Sequence, residues 1–187
     1  MDASAVEAMI PALLRALGDD PERSGLVETP RRVAEACADL FSGYGIDAAS
    51  ILEVLPNEVA HGLIMVRDLR FVSICEHHLL PFIGTAALAY LPGADGRITG
   101  LSKLARVVEV LSRRLQVQER LVREIADAME TALSPRAVWV YIEAEHLCMS
   151  ARGARKPGSV TVTTDVRGEW RADAAARTEL LALARGT

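Results

Sequence analysis

Apolar residues recur along the first forty or so positions with the period of a helix. Val6, Met9, Ile10, Leu13, Leu14 and Leu17 share one face of residues 5–17. The pattern predicts a helix there, kinked or started late by Pro11, whose ring removes a backbone donor. Gly18 and Pro21 punctuate it. Thr29-Pro30 reads as an N-cap followed by proline in the first helical position, and Val33, Cys37 and Leu40 form the stripe of a second helix ending before Gly43. Residues 63–75 and 82–91 then read as two strands, joined by Cys-Glu-His-His-Leu-Leu-Pro and followed by a Pro-Gly-Ala-Asp-Gly turn, which predicts an antiparallel hairpin. Ser102 reads as the cap of a helix with the stripe Leu104, Val108, Leu111 and Leu115, and a further helix turns Val117, Leu121, Ile125, Ala128 and Ala132 inward. Residues 138–148 alternate, with Val138, Val140, Ile142 and Ala144 on one face and Trp139 and Tyr141 on the other. Residues 159–166 read as their partner strand and 173–185 as a closing helix. This order predicts an α+β domain with helices on one face of an antiparallel sheet.

Composition narrows the class. Of 187 residues half are apolar and a quarter charged, as in an ordinary globular chain long enough to bury its own core. The formal charge of −4 argues against a protein built to neutralise a nucleic-acid backbone. No apolar run approaches the roughly 20 residues of a membrane span. The opening residues carry early acids and no basic leader, so neither a membrane nor export is expected. Cys37, Cys75 and Cys148 are an odd and sparse set, which predicts reduced thiols in a cytoplasmic protein. Cys37, alone on its apolar stripe, reads as a small buried hydrophobe.

The thiols and imidazoles carry the chemistry. In Cys75-Glu76-His77-His78 a thiolate and an imidazole three residues apart can turn onto one metal ion. His146 and Cys148, two apart on a predicted strand, would point to the same face. A mixed sulfur and nitrogen set suits zinc better than magnesium or calcium. Cys75, His78, His146 and Cys148 could close a structural site, or some of them could leave a position open for chemistry; spacing leaves both readings standing. His77, a second histidine beside a ligand, is the kind of group that works as a general acid or base near neutral pH. Gly100-Leu101-Ser102-Lys103-Leu104-Ala105-Arg106 leads into a helix N-terminus bearing a hydroxyl and two cations, which suits a phosphate as well as it suits a capped, solvated helix. Arg152 follows Cys148 closely. Gln118 and Glu119 open the next helix, either as an ordinary acidic first turn or as a carboxylate that accepts the N1–H and exocyclic amine of guanine.

Taken in order, GLVETPRRVAE, SICEHHLLPFIG, GLSKLARVVEVLSRRLQVQERL and EHLCMSARG resemble the GTP cyclohydrolase I family over residues 25–153. Asp165, Arg167 and Trp170 fall where that resemblance predicts a more apolar, Thr-rich segment. The resemblance implies a tunnelling fold over residues 61–187 behind an N-terminal helical extension over 1–60. It implies zinc on Cys75, His78 and Cys148, with His146 and His77 free for proton transfer. Glu119 with Gln118 would read guanine, and Ser102, Lys103, Arg106, Arg152 and Arg32 would surround the ribose and triphosphate, Ser102 assisting ribose opening. The implied reaction opens the imidazole ring of GTP, releases formate and yields 7,8-dihydroneopterin triphosphate. The implied assembly is a homodecamer of two stacked pentamers with active sites between neighbouring subunits. Two rivals stand beside it, a related enzyme of the same fold acting on another purine or pterin, and a non-enzymatic zinc module with all four donors on the metal.

Overall fold

The computed structural model describes residues 1–55 and 62–186 and divides into two compact units, Met1–Ser42 and Gly43–Thr187. The boundary expected after residue 60 lies outside the described residues.

The first unit is a pair of packed helices. Helix α1 spans Ala3–Ala16, capped by the Asp2 side chain, which accepts from the Ala5 N–H. It runs on through Pro11. Helix α2 spans Thr29–Leu40. The expected cap shifts by one residue: Thr29 is already helical and Glu28 precedes it without a side-chain capping bond. Pro30 still occupies the first turn, where its missing N–H costs nothing. Arg32 is exposed on this helix and Cys37 is half-buried.

The second unit is built on a five-stranded sheet. Strands β2 (Ile64–Cys75) and β3 (Pro81–Leu91) form the expected antiparallel hairpin, following a two-residue strand β1 (Val54–Leu55) that pairs with β4 (Ile98–Thr99). Helix α3 (Leu101–Ser112), the short strand β5 (Leu115–Gln116) and helix α4 (Gln118–Leu133) come next. Strand β6 (Ala137–His146), a single-turn helix α5 (Leu147–Ser150), strand β7 (Val160–Gly168) and helix α6 (Ala174–Arg185) complete it. The strand order is β5-β2-β3-β6-β7, antiparallel except where β5 runs parallel to the end of β2. Among the described residues no helix is long and apolar enough to cross a membrane.

Two apolar layers result from the alternation along β6. Val138, Val140, Ile142 and Ala144 join the main core with Leu104 and Val108 of α3 and Leu121 and Ile125 of α4. Trp139 and Tyr141, on the opposite face, pack with Trp170 and with Leu180 of α6. Helices therefore cover both faces rather than one, because both rows of β6 are apolar and each must be buried. Two helix limits also differ from expectation. Gly100, not Ser102, caps α3, and Leu115 leaves the helical stripe to pair with Ile74 in the sheet.

Candidate active site

The β2–β3 turn is held by its own backbone. The Leu79 N–H donates to the Cys75 carbonyl at 2.9 Å and the Cys75 N–H to the Leu80 carbonyl at 2.9 Å, with Leu79 in the left-handed region at φ 52°. This reversal folds His78 back toward buried Cys75. The antiparallel register sets His146 opposite Phe82, so β6 ends beside the same turn. Here the expectation for Cys148 fails: the strand stops at His146, and the single turn of α5 carries Cys148 inward. Cys75, His78 and Cys148 each then offer a donor atom within 4.8 Å of the others. Burial, and next the neighbouring Cys75, push the Cys148 thiol up, while Arg152 pulls the other way. Two sulfurs this close would need a cation between them to ionise together, and a set of two sulfurs and one nitrogen fits zinc with one tetrahedral position left over. The group of three leaves out His146.

His146 is fixed by other means. Its ring stacks on Phe82 with centroids 4.7 Å apart and planes 2° apart, and its Nε2 lies 2.8 Å from Gln118 Oε1. Burial lowers its pKa, an effect that Glu119 opposes. His77 is exposed, with Nδ1 4.0 Å from Cys75 Sγ and Nε2 3.8 Å from Glu76. These residues line one cleft of about 270 Å³ together with Gln118 and, at the exposed start of α4, Glu119.

The basic group lies elsewhere on the chain. Ser102 and Arg106 line a second cavity of about 560 Å³ with Arg70 and Arg113. Arg106 pairs with Glu109 at 2.9 Å and Lys103 with Glu53 at 2.7 Å. Ser102 opens α3: at about 1.5 Å per residue it stands roughly 15 Å along the axis from Ser112, beyond which β5 pairs with Cys75. Arg32 belongs to the N-terminal unit. Of the basic residues expected around substrate, Arg152 is the one whose charge reaches the thiol cluster.

Residues 6–185 match the family model described as GTP cyclohydrolase I. The chain belongs to the GTP cyclohydrolase I family. It is 52% identical over 182 residues to the GTP cyclohydrolase 1 of Mycobacterium leprae (strain Br4923), covering 97% of this chain and 89% of that one. It is 50% identical over 185 residues to that of Corynebacterium glutamicum (strain R), covering 99% and 94%, and 51% identical over 180 residues to that of Streptococcus thermophilus (strain CNRZ 1066), covering 96% of each. Among solved structures, the archaeosine synthase QueF-Like in the apo form is similar with a TM-score of 0.46 and 15% identity over 57% of this chain and 93% of that chain, too distant a likeness to bear on function.

In and beside this cleft stand residues that the sequence pattern did not single out. Glu76, inside the Cys-Glu-His-His motif, binds Arg120 of α4 through two bonds of 2.6 and 2.9 Å, which hold its carboxyl below the usual range. The pair fastens the β2–β3 turn to the helix that carries Gln118 and Glu119. Gln116 is buried, gives its amide to the Leu111 carbonyl and Glu124, and lines the cleft with Met149. Forty-four positions separate Glu76 from Arg120, so no local pattern announces them.

Proposed function

We propose that this cleft opens the imidazole ring of GTP with zinc on Cys75, His78 and Cys148, releasing formate and forming 7,8-dihydroneopterin triphosphate. Ring opening of GTP is the activity of the family to which the chain belongs. The observation that carries the reading is the meeting of Cys75, His78 and Cys148 in a cleft that also holds His77, His146 and Glu119. Zinc, when bound there, supplies Lewis-acid activation of water near neutral pH. Glu119 accepts from the N1–H and 2-amino group of guanine, a donor pair that adenine lacks. His146, beside the ligand group, gives a proton to N7 as the ring opens. His77 moves protons during the hydrolysis that releases formate. Ser102 assists ribose opening, and Lys103, Arg106, Arg152 and Arg32 hold the triphosphate.

The separation of Ser102 and Arg106 from the thiol cluster supports sites shared between subunits, one chain giving the metal cleft and its neighbour the basic turn. Strand β7 stands at the sheet edge with Val160 and Val162 exposed. An unprotected edge of that kind invites pairing with another sheet, which supports a tunnelling-fold ring and, through it, a homodecamer of two pentamers. The free thiols of all three cysteines suit a cytoplasmic location.

Zinc-loaded protein incubated with GTP should release formate in step with a pterin that fluoresces after oxidation; no formate would overturn the reading. Mixing His146→Ala subunits with Lys103→Ala subunits should restore part of the activity if sites are shared, whereas mixtures as inactive as their parents would place each site within one chain.

A further inference from the structure

Gln118 was expected at the guanine edge beside Glu119, yet it is 1% exposed and its carboxamide points into the protein. Its Nε2 donates to the carbonyls of Ile142 at 3.1 Å and Thr161 at 3.0 Å and to the Thr163 hydroxyl at 3.0 Å. Carbonyl oxygens only accept, so the amide cannot be turned over: its nitrogen must face Ile142 and Thr161 and its oxygen must face His146. That oxygen also only accepts. The His146 Nε2, 2.8 Å away, therefore carries a hydrogen whenever this bond is made.

We infer that Gln118 is a positioning residue that holds His146 as the Nε2–H tautomer, so that the ring presents Nδ1, not Nε2, to the substrate. The inference deepens the proposed function of the same cleft and rests on it. Two constraints act together on one ring. The Phe82 face sets its plane and the Gln118 oxygen sets its rotation within that plane. The arrangement suits the proton transfer assigned to His146. When Nδ1 gives its proton to N7 of guanine, the ring left behind is the neutral Nε2–H form that Gln118 already binds, and nothing needs to reorient during the step. Because Ile142 and Thr161 sit on the adjacent strands β6 and β7, the tautomer is written into the pairing of those two strands. Base recognition then falls to Glu119, which lies exposed at the helix start while Gln118 is turned inward.

Two measurements test this separately from the activity itself. In zinc-loaded protein labelled with [15N]histidine, above neutral pH, the His146 signal, assigned by its loss in His146→Ala, should show a protonated Nε2 and an unprotonated Nδ1. The opposite tautomer would overturn the inference even in a fully active enzyme, and absence of formate release would instead sink the parent reading. In Gln118→Met, kcat should fall on the order of 10- to 100-fold, with zinc content, KM for GTP and preference for GTP over ATP little changed. A loss expressed in KM or in GTP preference would return Gln118 to guanine recognition, and an unchanged kcat would remove it from the site. Should Gln118→Met fail to fold, the wild-type tautomer still decides.

Discussion

The imidazole of His146 lies parallel to the ring of Phe82, 4.7 Å from it and only 2° out of plane. Phe82 is fully buried and faces His146 across the β3–β6 register, so this platform belongs to the sheet and not to a mobile loop. Phe82→Leu keeps most of the apolar volume but removes the flat surface. We expect kcat to drop on the order of 10-fold through loss of ring orientation, with zinc content and KM for GTP near wild type. Steady-state kinetics beside metal analysis checks this, and an unchanged kcat would show that the stacking is packing alone.

His146→Ala should retain zinc and slow ring opening by a factor on the order of 100 to 10,000, the usual contribution of a positioned general acid. The prediction separates His146 from the ligands. Zinc lost in parallel with activity would make it a fourth donor and revive the structural-zinc reading.

With Glu119 as the proposed reader of guanine, Glu119→Ala leaves two base donors without an acceptor. Losing a hydrogen bond to a charged partner costs about 1.5–3 kcal/mol, or roughly 10- to 150-fold in affinity. GTP should therefore lose its advantage over ATP in competition binding while zinc content stays constant. Undiminished preference for GTP would end the assignment of Glu119 as the base reader.

Arg167 answers for the polar residues that interrupt the end of the chain. Its guanidinium reaches Asp165 at 3.0 Å on its own strand and Asp127 at 2.6 Å and Glu130 at 2.8 Å on α4, tying β7 to the helix behind the cleft. Arg167→Ala leaves three carboxylates facing one another with no cation. A loss of about 1.5–3 kcal/mol in unfolding free energy is expected, seen as a lower Tm, with kcat of the folded protein preserved. An unaltered Tm would show that solvent screens the cluster.

Much of the fold was legible because periodicity reports burial, and burial is what positions strands and helices. The hairpin, the helices after Gly100 and the alternation of β6 all follow from it. What escaped has a physical reason in each case. Cys148 continues the alternation of β6 by spacing, but α5 begins there, and a single helical turn is too short to leave a periodic trace. Trp139 and Tyr141 were placed on the second face of β6, yet nothing local says that a helix some forty residues on will cover them. The candidate metal donors were readable from residue type, since thiols and imidazoles in short spacings are scarce. Gln118 and His146, 28 positions apart, meet only through strand pairing and helix docking, which no local window contains.

The central claim is that zinc on Cys75, His78 and Cys148 makes this cleft competent to open GTP. Titrating zinc into metal-stripped protein while following formate release from GTP tests it most directly. Activity should rise linearly and saturate at about one zinc per chain, and Cys75→Ser and Cys148→Ser should gain neither metal nor activity, because a hydroxyl cannot replace a thiolate in a soft site. Full-rate formate release from stripped protein, or from Cys148→Ser without bound metal, would contradict it.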